Sequence, residues 1–212
     1  MSLVEYGSLA VTSLFVIMDP IALVPAFLAM TGTDTPQDRI RMARLACFVS
    51  AGVLVFFVVT GQQLFKFLGI TFPAFRIAGG ILLITIALDM LRARRSPVQE
   101  TAEETDAAAA KEDIAITPLA VPMLAGPGAI STAILLQSKA ATVAHTSVLI
   151  VAIVAVCLAS YIILRWASQG ARWISPIAMK ITTRIMGLLL AAVAVQFILD
   201  AIVEEKARFI TP

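Results

Sequence analysis

Long apolar runs broken by short polar turns set the pattern of this chain. Six such runs fall roughly at residues 7–30, 45–66, 72–91, 115–136, 147–166 and 181–203. Each has about the 20 residues that an α-helix needs to cross about 30 Å of hydrocarbon. Apolar positions are continuous within the runs and do not alternate, which argues against a β-barrel. The pattern predicts an all-α integral membrane protein with six transmembrane helices, so the lipid bilayer is its first partner. One connector is long. Residues 92–114, RARRSPVQETAEETDAAAAKEDI, mix charge, Pro and Ala and lack an apolar face of any length. They read as a solvated connector with one surface helix through the Ala run.

Composition agrees with the pattern. Of 212 residues, 59% are hydrophobic and 14% charged, and the mean hydropathy is +0.93. A soluble domain of this length needs more charge to cover its surface. Before the first run stands Glu5 but no Lys or Arg, so a cleaved signal peptide is not expected. The net charge of +2 matters less than its distribution. With six spans, one side holds Lys66, Arg76, Lys139, Lys206 and Arg208. The other holds Arg39, Arg41, Arg44, Arg92, Arg94, Arg95, Lys111, Arg165, Arg172, Lys180 and Arg184. Eleven against five is a positive-inside bias. It places the 92–114 connector in the cytoplasm and both termini outside, and no nucleic-acid partner is expected.

The two halves resemble each other. Phe75-Arg76-Ile77-Ala78-Gly79-Gly80-Ile81-Leu82 and Thr183-Arg184-Ile185-Met186-Gly187-Leu188-Leu189-Leu190 share Arg, Ile, Gly and the last Leu at an offset of 108. Asp19-Pro20 and Gly126-Pro127 correspond at an offset of 107. Residues 1–91 and 115–212 therefore read as two three-helix repeats. An odd number of spans per repeat inverts the second copy in the membrane. Inverted repeats are a recurring transporter architecture with the site near the midplane.

Both first spans of the repeats are interrupted. Asp is a favoured N-cap, and Pro suits the first helical position because its missing N–H would be unpaired there anyway. Asp19-Pro20 is a helix start placed inside a span, about 18 Å along it at 1.5 Å per residue. The first half-helix is expected to end near Met18 and the second to begin at Pro20, with Pro25 loosening the second half. Gly126-Pro127-Gly128 repeats the device in span 4, preceded by Pro118 and Pro122. Each new helix start offers backbone N–H groups and a positive dipole end to an anion. Carbonyls freed at the breaks suit an ammonium or a cation. The candidate substrate-binding residues are Asp19, Pro20, Ile21, Gly126, Pro127, Gly128, Ser131 and Thr132. Ser131 and Thr132 offer hydroxyls one turn beyond the break, and Gly128 would let a ligand approach the backbone closely. A carboxylate inside a membrane is costly, which makes function the default hypothesis for it. Asp19 can pair with a positive ligand group, carry a coupling proton, or cap a half-helix and nothing more.

These residues resemble a known family. Asp19-Pro20 with Pro25 and Phe27, and Pro118-Leu119-Ala120-Val121-Pro122 running into Ala125-Gly126-Pro127-Gly128-Ala129-Ile130, are similar to the MarC family of bacterial and archaeal inner-membrane proteins. The span count and the charged middle connector agree, so the resemblance covers nearly the whole chain. It implies a relationship to a wider group of small transporters that includes lysine-type amino-acid exporters. Some members move small neutral amino acids such as glycine and alanine. The resemblance thus implies a secondary transporter for a small zwitterionic amino acid in the inner membrane, with H⁺ or Na⁺ as a coupling ion. The chain contains no Asn, so the Asn-Pro form of the first motif is replaced here by Asp-Pro.

Other residues are read more plainly. Arg76 and Arg184 stand near the starts of spans 3 and 6 as candidate gates, against the alternative of snorkelling interface anchors. Asp200, Glu204 and Glu205 read as a solvated helix end. His145 reads as an exposed loop residue. Gly79, Gly80 and Gly187 are expected to permit close helix packing. Trp166 and Trp173 suit the interfacial aromatic belt. Cys47 and Cys157 fall in spans and read as small core residues. A single His excludes a His-Glu-x-x-His metal site, and no enzyme, cofactor or bound metal is expected. The rival within transport is a cation, proton or metal-ion carrier or channel centred on Asp19. Six short spans bury little surface, so a homo-oligomer is compatible with the sequence.

Overall fold

The computed structural model describes residues 2–32, 34–92, 115–170 and 176–210. These form helices α1 (Leu3–Met18), α2 (Pro20–Met30), α3 (Pro36–Leu68), α4 (Phe72–Arg92), α5 (Ala115–Leu124), α6 (Pro127–Ser138), α7 (Val143–Gly170) and α8 (Pro176–Ile210). The 92–114 connector beyond Arg92, with Arg94, Arg95, Lys111 and the Ala run, lies outside the described residues, as do Arg172 and Trp173.

Five helical stretches are long and apolar enough to cross a membrane: Leu3–Met30, Pro36–Leu68, Phe72–Arg92, Val143–Gln169 and Ile181–Lys206. A sixth forms if α5 and α6 are one span bent by 54°. Five of the six expected spans therefore appear, with helices that run past them, and the sixth is the bent α5–α6 pair. The apolar run of span 2 was bounded at residue 45, yet α3 starts at Pro36. Thr35 explains the difference. Its hydroxyl accepts from Asp38 N–H at 3.2 Å and Pro36 takes the first position, so the helix is capped well outside the apolar run. At the other end Gly69 adopts the left-handed conformation with φ 64° and closes α3.

Arg39, counted above among the charges of the loop side, is buried at 6% exposure. Its Nε donates to Thr31 O at 2.9 Å and its Nη2 to Gly32 O at 3.2 Å. It ties the end of α2 to the start of α3, satisfying carbonyls that a helix end leaves open.

The core surrounds α6. Pro127, Gly128, Ala129, Ile130, Ser131, Ala133, Ile134 and Leu136 of that helix are all buried, against α1, α3, α4 and α7. The outward faces of α3, α7 and α8 carry exposed Phe48, Phe56, Val151, Leu158, Leu188 and Leu199, as lipid-facing helices do. Cys47 and Cys157 are buried core residues, as expected.

The most extensive helix pairing joins α4 to α8, and it is reciprocal. A Cβ on Gly80 would meet Ala194 O at 2.9 Å and Ile198 Cγ1 at 2.8 Å. A Cβ on Gly187 would meet Ala87 O at 3.0 Å and Leu91 Cγ at 3.1 Å. Each residue of the first contact maps onto the second at one offset, 107 residues. The glycines let the two backbones approach, as small residues do between membrane helices.

Candidate functional site

Asp19 is the single residue between α1 and α2, and it serves both. Its N–H donates to Phe15 O at 3.0 Å and closes α1, while its Oδ1 accepts from Ala22 N–H at 3.1 Å and opens α2. Its backbone lies at φ 38°, ψ 64°, the one positive-φ side-chain-bearing residue among those described. Asp and Asn tolerate this left-handed region better than other L residues because the short polar side chain bonds locally. The expected break, with Met18 ending one half-helix and Pro20 starting the next, is therefore present.

The breaks free carbonyls by a simple count. Pro20 has no N–H, so Val16 C=O lacks its i+4 donor; Pro25 does the same to Ile21 C=O. Ile21 is 63% exposed and Val16 69%. Asp19 is exposed at the protein surface too, so Asp19, Val16 and Ile21 are all exposed around this break. Donors are scarce at this start. Ala22 N–H goes to Asp19 Oδ1 and Leu23 N–H to Asp19 O at 3.2 Å, leaving Ile21 N–H as the donor used by neither cap nor ladder.

The second break differs. Span 4 is less regular than the single interruption expected at Gly126. Thr117 and Val121, each before a proline, are extended at φ −130° and −128°, because a following Pro disfavours the helical region. The Thr117–Pro118 and Val121–Pro122 peptides are cis. Ala125 N–H closes a wide turn on Ala120 O at 2.8 Å, and Ser50 Oγ of α3 reaches the same carbonyl at 3.4 Å. Gly126 then caps α6 with φ −77°, ψ 171° and no side-chain bond. Pro127 holds the first position, and Ile130 N–H takes Gly126 O at 2.9 Å. Gly128 and Ala129 N–H are left with no side-chain cap. Ser131, on the next turn, is only 7% exposed and its Oγ has no hydrogen-bond partner. Such an orphan in a buried place costs about 1–3 kcal/mol. Thr132 is half-buried.

The structure brings the two breaks together. A Cβ on Gly128 would meet Ile17 Cγ1 at 3.1 Å and Phe197 Cζ at 3.4 Å. Ile17 stands two residues before Asp19, and Phe197 comes from α8. The close approach expected of a ligand at Gly128 is thus taken by two apolar side chains in this conformation. On the opposite side a Cβ on Gly79 would overlap the Pro127 ring, so α4 seats the start of α6. Neither Ile17 nor Phe197 was signalled by the sequence, since an Ile or Phe in an apolar span looks like any other.

The remaining candidates lie apart. Arg76 Nη1 bonds Glu204 Oε2 at 2.9 Å, with side chains 29% and 44% exposed. It joins the ends of α4 and α8 instead of lining the breaks, and Glu204 is a partner rather than a solvated end. Asp200 likewise accepts from Gln196 Nε2 at 2.6 Å. Arg184 is exposed on α8. His145 is half-buried. Its ring stands edge-on to Tyr6 at 5.0 Å, with Nδ1 2.8 Å from Thr142 Oγ1. It is a packed residue, not the exposed bystander expected. Among the described residues no group of three His, Cys, Asp or Glu side chains could hold a metal ion.

Comparison with known proteins places this architecture. A family model described as MarC family integral membrane protein matches residues 4–205. The UPF0056 membrane protein MJ1677 of Methanocaldococcus jannaschii is 35% identical, over 93% of this chain and 96% of that one. The UPF0056 membrane protein YvbG of Bacillus subtilis is 36% identical, over 88% and 89%. The UPF0056 membrane protein YhcE of Escherichia coli is 33% identical, over 89% and 88%. No solved structure matches.

Proposed function

This chain belongs to the MarC family of integral membrane proteins, and we propose that it is a secondary transporter of small neutral amino acids of the glycine and alanine type. The observation that carries the reading is the chemical asymmetry of two adjacent helix breaks. One presents a carboxylate and open carbonyls, at Asp19, Val16 and Ile21. The other presents uncapped N–H groups at Gly128 and Ala129 with the unpaired Ser131 hydroxyl. A zwitterion has the complementary pair of charges a few bonds apart. Its ammonium would face Asp19 and its carboxylate the start of α6, where backbone donors and the helix dipole favour an anion.

In this reading Ile17 and Phe197 over Gly128 close the site, and substrate entry displaces them. The reciprocal α4–α8 crossing at an offset of 107 residues supports two inverted repeats, residues 1–91 and 115–212, rocking about that contact. The charge bias supports an inner-membrane protein with both termini outside and the 92–114 connector in the cytoplasm. H⁺ or Na⁺ would couple at Asp19. A second reading, a cation or proton carrier, is favoured by the exposed Asp19 carboxylate and its neighbouring carbonyls. It differs by needing nothing at Gly128.

Uptake and counterflow of labelled alanine and glycine into proteoliposomes test the proposal. Wild type is compared with Asp19→Asn and Gly128→Leu. Saturable flux that Gly128→Leu abolishes is expected. Absence of flux above empty liposomes, under both pH and Na⁺ gradients, would overturn the amino-acid reading. Cation-driven flux that survives Gly128→Leu would select the second.

A further inference from the structure

The outer face of α8 carries a polar group deep in an apolar stripe. Gly187, Ala194 and Ala201 are buried at seven-residue spacing, and the first two pack on α4. At about 100° per residue, the opposite side of the helix bears Ile185, Leu189, Ala192, Gln196, Leu199 and Val203. All six are exposed. They follow one another at alternating four- and three-residue steps, the repeat by which one helix packs along another. Five are apolar, and Gln196 is a primary amide.

Gln196 lies near mid-membrane. A Cβ on Gly80 would meet Ala194 O at 2.9 Å and Ile198 Cγ1 at 2.8 Å, so Gln196 stands level with Gly80 of α4. That helix spans Phe72–Arg92, and Gly80 is about 3 Å from its midpoint at 1.5 Å per residue. The midpoint of the apolar stretch of α8, Ile181–Lys206, lies within about one turn of Gln196. This stretch is also the least covered. It is 17% buried, against 28–39% for Leu3–Met30, Pro36–Leu68, Phe72–Arg92 and Val143–Gln169.

Lipid does not satisfy an amide at this depth. Gln196 Nε2 donates to Asp200 Oδ1 at 2.6 Å, which uses one of its two N–H groups. The second N–H and Oε1 have no partner among the described residues. Acyl chains offer neither donor nor acceptor, and the headgroups are about 15 Å away. Polar side chains inside spans pair with one another or face protein.

A primary amide is its own complement. Two Gln196 side chains related by a two-fold axis along the membrane normal each give an N–H to the other's Oε1, which meets both needs at once. Copies inserted in one orientation can share such an axis. Asp200 stands about 60° round the helix from the centre of the face, so the two carboxylates flank the seam instead of meeting across it. Any other protein would have to bring a matching group at the same depth, whereas a second copy carries it already.

We propose that α8 is the subunit interface of a homodimer in the membrane, in which the faces from Ile185 to Val203 pack along each other and the Gln196 amides hydrogen-bond across the two-fold axis. One polar position in an apolar seam also fixes register, so the Gln196 pair sets which residues of the two helices meet. The pairing holds whatever solute the protein moves.

Disulfide trapping of the full-length protein in its membrane tests the interface. The native Cys47 and Cys157 are buried, so an added surface cysteine is the one that reports. Under copper-phenanthroline, Ala192→Cys and Leu199→Cys should each give a covalent dimer. Val151→Cys on α7, a position 67% exposed on another helix, should not. Förster transfer between donor- and acceptor-tagged copies in liposomes then measures association. Gln196→Leu should weaken it by about tenfold, the worth of two interhelical hydrogen bonds, and Gln196→Asn, which keeps the amide, should weaken it less. Monomers at every protein-to-lipid ratio overturn the dimer. Trapping at Val151 equal to that at Ala192 and Leu199 marks random collision and overturns the interface. Association indifferent to Gln196→Leu overturns the amide pair on which the proposal stands.

Discussion

Ile17 lies over Gly128, with its Cγ1 3.1 Å from where a Cβ would stand. One residue belongs to the helix that ends at Asp19, the other to the helix that begins at Pro127. Their contact is where the two breaks meet. Gly128→Ala asks Ile17 to give by a few tenths of an ångström, whereas Gly128→Leu has no room. Alanine flux should fall several-fold in the first and vanish in the second. Ile17→Ala together with Gly128→Ala should recover most of the loss, since alanine lacks both the Cγ1 and the Cδ1 that the new Cβ meets. Unaltered flux in Gly128→Leu would show that substrate does not use this place.

Asp19 does three things, and substitutions separate them. Asn keeps the left-handed backbone and the cap but removes the charge; Ala removes all three. Melting in detergent should show Asp19→Asn within about 0.5 kcal/mol of wild type and Asp19→Ala lower by about 1–2 kcal/mol, the usual loss of a cap. Flux should be lost in both. If Asp19→Asn transports normally, the residue is a cap and neither the ammonium nor a proton needs its charge.

The breaks were legible because they are local chemistry. Asp before Pro, and Gly before Pro, each write a helix start that no surrounding residue needs to complete. What those starts face was not legible. Ile17 and Phe197 over Gly128 come from elements 111 and 69 residues away in the chain, and apolar spans carry no pattern that distinguishes such contacts from lipid-facing positions. Arg39 misled for a related reason. Counting it as a loop charge treats the polar end of α3 as solvated, yet its guanidinium folds back on Thr31 and Gly32 carbonyls. The His145 ring was missed likewise, because Tyr6 that packs against it lies at the other end of the chain.

Gly79 and Gly52 form a matched pair in two membrane helices. A Cβ at Gly79 would overlap the Pro127 ring, while at Gly52 nothing lies within 4 Å. Ala is a better helix former than Gly by up to about 1 kcal/mol. Gly52→Ala should therefore hold or raise the melting temperature. Gly79→Ala should lower it through a destabilisation of about 1–3 kcal/mol, typical of overpacking, and should disturb flux because it moves the start of α6. Equal effects of the two would mean that α4 does not seat Pro127.

Arg76 and Glu204 make a partly exposed pair at the ends of α4 and α8. Such pairs contribute about 0–1 kcal/mol, so Arg76→Ala should shift stability by less than that. Exchanging the charges, Arg76→Glu with Glu204→Arg, should restore whatever Arg76→Glu alone removes. Rescue of stability and flux together would mark a strut between the two helices. Loss of flux in every variant that lacks Arg at 76, with stability intact, would instead mark a gate.

Ser131 sets stability against function. Its hydroxyl is buried and unpaired, so Ser131→Ala removes an unsatisfied group and leaves a methyl of nearly the same shape. Ser131→Ala protein should be more stable by about 1 kcal/mol. If the hydroxyl waits for a substrate carboxylate, the same substitution should raise the KM for alanine by about tenfold, one hydrogen bond to a charged group, with little change at saturation. The pairing of a higher melting temperature with weaker substrate binding is the signature expected of a site held ready at a cost in stability. A more stable protein with an unchanged KM would place the substrate carboxylate elsewhere along α6.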